Sequence, residues 1–215
     1  MAANLSPDAH HLIDMLDGTC HEILYNLKVY RPVKDVFKPQ RVLGKVIQRC
    51  KIEAVTHYIY SSIERAYLLS QSSLHLVLAI LDENKCVTCR FNFDICLSAD
   101  AANGEIGEDG FKTIFQRLTA SLMMRWPECI TSSGTEPCGF KILFYSDDAL
   151  HESSRSLSKN DVVVVQQEER NKLEFQSTDD QDGDENMGGT AFVQRTLPVQ
   201  RLRGFQLMGC IELAA

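Results

Sequence analysis

Apolar positions in this 215-residue chain follow two periods, and the switch between them marks out its elements. Over Leu74–Leu81 only His75 interrupts a continuous apolar run, the pattern of a strand buried on both faces. From Val87 the pattern alternates. Val87, Cys89, Phe91, Phe93 and Ile95 point one way, and Thr88, Arg90, Asn92 and Asp94 the other. Asp82-Glu83-Asn84-Lys85 between the two runs has turn chemistry, because Asp and Asn bond nearby backbone groups and Asn accepts a positive φ. Leu74–Ile95 therefore predicts a β-hairpin at the centre of a sheet.

Helical spacing flanks it. Ser6-Pro7-Asp8 reads as a helix start, with Ser6 as cap and Asp8 near the positive end of the dipole. Leu12, Leu16, Cys20, Ile23, Leu24 and Leu27 follow at three- and four-residue steps, and Pro32 places the end near Tyr30. Val33–Val46 carries Pro39 and Gly44 without a clear period and reads as a loop with a short strand. A second helix is expected over Ile52–Leu69, burying Ile52, Val55, Ile59, Ile63, Ala66 and Leu69. Beyond a Ser98–Gly110 loop, a third is expected over Phe111–Met124, stopped by Pro127. Pro137–Tyr145 reads as another core strand and Ser146–Asn160 as a linker.

The last third is β-like. Val162–Val165, Lys172–Phe175, Ala191–Val199 and Phe205–Leu213 have strand composition, and Asp179–Glu185 is an acidic tract that does not pack. The expected class is α+β: a mainly antiparallel sheet with about three helices on one face, and a movable β-type tail. The chain reads as one domain, with a core over about 8–150, a tail over about 160–215 and an acidic loop at 179–189.

Composition excludes more than it assigns. A net charge of −7 and a pI near 5.4 argue against a broad phosphate-binding surface, so no direct nucleic-acid contact is expected. No stretch reaches the ~20 apolar residues of a membrane span, and the first residues lack a secretory pattern. The eight cysteines are expected reduced, in nucleus or cytosol. No phosphate-binding glycine loop, dinucleotide fingerprint, H-E-x-x-H or G-x-S-x-G is present. Cys86-x-x-Cys89 has zinc-ligand spacing, but residues three apart on a strand face opposite sides. His10-His11, Asp147-Asp148 and Glu168-Glu169 read as surface charge. No metal, cofactor or catalytic role is expected.

Five stretches in this order carry a resemblance: Glu22–Phe37 (EILYNLKVYRPVKDVF), His57–Leu69 (HYIYSSIERAYLL), Ile80–Ile95 (ILDENKCVTCRFNFDI), Phe115–Met124 (FQRLTASLMM) and Cys138–Leu150 (CGFKILFYSDDAL). Together they resemble the HORMA-domain family over nearly the whole chain. The resemblance implies a peptide-clamping adaptor whose C-terminal segment, the safety belt, closes over a partner strand. Two branches of the family remain open. The hairpin, ungapped and with Phe91, resembles the non-catalytic subunit of DNA polymerase zeta, a translesion-synthesis and repair adaptor. Leu118–Pro127 and Phe140–Leu150 resemble the mitotic-arrest-deficient spindle-checkpoint branch.

The family's peptide-contacting Tyr matches Tyr58. The belt Trp of the adaptor branch has no equivalent, since Trp126 is the only Trp, and Phe175 is the nearest aromatic substitute. Arg117 matches an Arg used in homo- or heterodimerisation with another HORMA domain. Phe192, Gln206 and Met208 fall at positions that bind a second partner, the translesion scaffold polymerase. The resemblance further implies a peptide from the polymerase catalytic subunit or a repair scaffold as partner, remodelling by an AAA+ ATPase, and work in the nucleus.

Overall fold

The computed structural model describes residues 5–70, 73–97, 106–132, 136–146, 163–166, 192–202 and 205–214. Helix α1 (Pro7–Asn26) starts where its capping pattern places it, with Ser6 Oγ accepting the Ala9 amide at 3.2 Å. The whole expected stripe, Leu12 to Leu27, is buried. The helix ends at Asn26, four residues before Tyr30, as the chain turns through Lys28 at φ 56°.

The stretch expected to be a loop with a short strand holds more regular structure than that. A turn of helix, α2 (Val33–Val36), leads into an antiparallel ribbon of β1 (Phe37–Val42) and β2 (Lys45–Cys50). Leu43 (φ 43°) and Gly44 (φ 73°) supply the two consecutive positive φ angles that a tight hairpin turn needs. Pro39 masked this ribbon in the sequence, yet proline is tolerated in an edge strand. Side chains of α1 hold it: Glu22 Oε1 accepts the Gln48 amide at 2.7 Å, and His21 Nδ1 the Cys50 amide at 3.4 Å. Gly18 of α1 lets the ribbon approach, since a Cβ there would sit 3.0 Å from Phe115 and 3.4 Å from Ile47.

Helix α3 (Glu53–Leu69) buries Ile59, Ile63 and Ala66; Ile52 precedes it and is exposed. Helix α4 (Gly107–Met123) begins four residues before Phe111. Its start is capped from a distance: the Asp8 carboxylate accepts the amides of Ile106 (2.8 Å) and Gly107 (3.1 Å). Pro127 opens a short helix, α5 (Trp126–Ser132), instead of ending the helical stretch.

The expected central hairpin is β3 (Ser73–Leu81) and β4 (Val87–Leu97), antiparallel. Asp82 Oδ1 accepts the Asn84 and Cys86 amides, both at 2.9 Å, while the positive φ falls on Lys85. With β5 (Gly139–Ser146), β6 (Val163–Gln166), β7 (Phe192–Thr196) and β9 (Phe205–Ala214), they form a sheet of order β6-β5-β3-β4-β9-β7. A short β8 (Gln200–Leu202) pairs with β9. All pairings are antiparallel except β5–β6. One face, with Leu76, Leu78, Ile80, Phe91, Phe93, Ile142, Phe144, Leu207 and Ile211, joins the same core as α1, α3 and α4. On the other face Val77, Ala79, Thr88 and Asn92 are also buried.

From Met15 to His21 helix α1 is buried all round and takes polar residues inside, while its first half exposes Pro7, His10 and Asp14. Asp17 lies 3.1 Å from Arg49 and 3.6 Å from His21. Burial pushes the Asp17 carboxyl up to about 7 despite the pull of Arg49, and pushes His21 down to about 3 with Arg49 adding to the effect. Among the described residues no helix is long and apolar enough to cross a membrane.

Candidate functional site

The outer edge of β5, away from β3, is built from three elements. Register pairs Ile142 with Leu78 of β3, and the Ile142 side chain points into the core. Its amide donates outward to the Tyr58 hydroxyl of α3 at 3.2 Å. Tyr58 therefore takes the place of a strand partner at this position. Phe140, two residues earlier on β5, packs against Tyr58 with centroids 5.7 Å apart and against Tyr30 at 6.4 Å. Burial, with Cys50 and Tyr58 nearby, raises the Tyr30 phenol above its usual range.

Immediately beyond Ile142 the edge changes partner. From Leu143 to Ser146, β5 pairs in parallel with Val163–Gln166, the first described stretch of the tail. Tyr58 thus lies at the margin of the sheet, beside the outer edge of β5. Tyr30 and Phe140 were not singled out by sequence reasoning. Their signal was Phe140 opening the Phe140-Ile142-Phe144 alternation, but nothing local ties Tyr30 to it.

The opposite side of the sheet ends in tail strands too. β9 runs beside β4 from Cys89–Leu213 to Leu97–Phe205, and β7 lies outside it. Phe192 of β7 is 36% exposed, with the Arg90 guanidinium 4.7 Å above its ring; Arg90 also meets Glu212 at 3.6 Å. Gln206 and Met208 are half-buried on the same strand face, since Phe192 pairs with Ala214. Met208 lies six residue steps from Ala214 along β9, about 20 Å of strand. The structure therefore does not bring these three residues into one patch. Arg117 is exposed on α4, the helix that ends at the exposed Met123 and is followed by the exposed Met124. Phe175, the Lys172–Phe175 run and the acidic 179–189 segment lie outside the described residues.

Chemistry elsewhere is sparse. Cys86 is exposed in the turn and Cys89 is buried, its thiol pushed up to about 12 by burial and nearby Cys129. Among the described residues no group of three His, Cys, Asp or Glu is placed to hold a metal.

No family model and no curated protein sequence matches the chain. Solved structures do. A chain from a crystal structure of the mitotic checkpoint complex is similar with a TM-score of 0.65 and 14% identity, over 98% of this chain and all of that one. HTP-2 bound to HTP-3 motif-6 gives 0.57 and 8% identity, over 95% and 89%. C. elegans HTP-1 bound to HTP-3 motif-1 gives 0.56 and 10%, over 96% and 91%. At such identities the likeness speaks for the fold, and the fold is that of HORMA domains: α+β, with a mainly antiparallel sheet.

Proposed function

We propose that this chain is a HORMA adaptor that holds a partner peptide as an added strand on the β5 edge, beneath a C-terminal belt. One observation carries the reading: the tail reaches both margins of the same sheet. It starts along β5 as β6 and finishes beside β4 as β9. β6 and β7 stand on opposite margins of the sheet, about 24 Å apart counting five inter-strand steps, so the one tail flanks the sheet on both sides. Edge pairing would supply main-chain hydrogen bonds, and Tyr58, Phe140 and Tyr30 a side-chain wall that selects sequence. Encirclement slows escape. That HTP-2 and HTP-1 are bound to HTP-3 motif-6 and motif-1 supports peptide capture.

The finer assignment is the accessory subunit of translesion DNA polymerase zeta and a repair adaptor in the nucleus, without catalytic activity of its own. It rests on the ungapped hairpin stretch Ile80–Phe93. A checkpoint adaptor is the second reading, favoured by the similar chain in the mitotic checkpoint complex. In either case the exposed Arg117 of α4 serves pairing with a second HORMA domain, Gln206 and Met208 serve a second partner with Phe192 about 20 Å away along the same face, and an AAA+ ATPase resets the belt.

A pull-down with a Pro-containing segment of the polymerase catalytic subunit tests both levels. Wild type is recovered, and Tyr58→Ala, which removes the ring against Phe140, weakens recovery about tenfold. Equal recovery of the two would remove Tyr58 from the site. Recruitment to unattached kinetochores rather than to damaged chromatin would favour the checkpoint role.

A further inference from the structure

Away from the β5 edge, an open groove of about 470 Å³ separates the β1–β2 ribbon from the first turns of α3. Lys38, Arg49, Lys51, Glu53, His57 and Tyr60 line it. Three fixed positive charges thus face one negative charge. Lys51 Nζ donates to a neutral acceptor, the Asp35 carbonyl, at 3.0 Å. Neither Lys38 nor Lys51 meets an acidic side chain among the described residues. Arg49 does have one, but its partner Asp17 is buried behind it in α1.

Two features show that this charge is held against a cost. Strand register sets Lys38 directly opposite Arg49, and like charges facing each other across a ribbon are destabilising. At the same end α3 starts after Ile52, which has no side-chain oxygen to cap its first turn. The free amides there add the positive end of the helix dipole, with Glu53 offsetting part of it. Burial opposes the charge on Asp17, Arg49's ion-pair partner, while the exposed Asp14 of α1 also lies within electrostatic reach of Arg49.

We propose that this groove binds an acidic peptide segment, whose carboxylates sit between Lys38, Arg49 and Lys51 and relieve their repulsion. A peptide suits the site better than a nucleic acid. The chain's net charge of −7 repels a long polyanion, and Glu53 in the wall restricts the groove to a few anionic groups. His57 adjoins Tyr58 in sequence, but the groove shares no lining residue with the β5 edge. The two sites are therefore separable.

Fluorescence anisotropy on the full chain with labelled hexaglutamate tests the assignment, with hexaglutamine and an oligothymidylate as controls. Hexaglutamate binds, and its affinity falls as NaCl rises from about 0.05 to about 0.5 M. Lys38→Glu combined with Lys51→Glu weakens binding about tenfold or more. The thermal midpoint changes little, because Lys38→Glu replaces a repulsive pair with an attractive one opposite Arg49, which offsets the exposed Lys51 bond to the Asp35 carbonyl that Lys51→Glu removes. Lys38→Gln with Lys51→Gln gives a smaller loss in the same direction, and Tyr58→Ala binds hexaglutamate as wild type does. Hexaglutamate binding unchanged in both double variants, equal binding of hexaglutamine, or tighter binding of the oligothymidylate would each overturn the proposal.

Discussion

Strand β9 runs beside β4 through nine paired residues and sends Leu207, Ile211 and Leu213 into the main core, each 5% exposed or less. On the far side of the sheet β6 meets β5 over four residues, in the parallel arrangement that is slightly less stable per residue. One tail is therefore anchored at one margin and lightly attached at the other. Each fully buried β9 side chain contributes roughly 1.5–3 kcal/mol, whereas a four-residue edge strand adds little beyond its main-chain bonds. This difference lets the β5 edge open to a peptide while the β9 edge keeps the tail in place.

The largest expected effect is on the anchored side. Leu207→Ala removes a fully buried side chain and should cost about 2–5 kcal/mol in urea unfolding. A cost below about 1 kcal/mol would mean that β9 is no anchor.

A second test perturbs the core that both margins share. Asp17 has its folded-state pKa raised to about 7, so the folded protein holds a proton that the unfolded chain releases above pH ~4. Its contribution therefore falls as pH rises from ~4 to ~7. His21, lowered to about 3, has the opposite slope: its contribution is lost as pH falls from ~6.5 toward ~3. In the wild type the two oppose each other between pH ~4 and ~6.5. Asp17→Asn should leave stability rising with pH across that window, and His21→Gln should leave it falling, each by at most about 1.4 kcal/mol per pH unit. Parallel profiles for the two variants would show that the pair does not titrate as the structure implies.

The smallest effect belongs to the loose margin. Val164→Pro removes an amide from β6 and should change global stability by less than about 1 kcal/mol, because little else depends on that strand. A loss comparable to that of Leu207→Ala would erase the contrast between the edges.

Much of the anchored side was legible from residue order. The continuous Leu74–Leu81 run and the alternation from Val87 gave the hairpin, and Phe205–Leu213 announced β9 through its own alternation. What escaped depended on distant partners. The β1–β2 ribbon is held by Glu22 and His21 of α1, and α4 starts early because Asp8, about a hundred residues away, caps it. Neither leaves a local period. For the site, resemblance supplied Tyr58, but its bond to the Ile142 amide and its packing on Phe140 exist only once α3 lies along β5. Matching positions also grouped Phe192 with Gln206 and Met208, whereas its pairing with Ala214 sets Phe192 about 20 Å along the sheet from Met208.

Hydrogen exchange with and without the Pro-containing polymerase peptide compares the two margins in one experiment. In the free protein, amides of Phe91–Ile95 and Leu207–Leu213 should exchange near the global unfolding free energy, and those of Val163–Gln166 far faster, through local opening. Added peptide should slow the outward amides of Gly139–Ser146 and leave β9 unchanged. Peptide protection appearing along β7 and β9, with none along β5, would contradict the account.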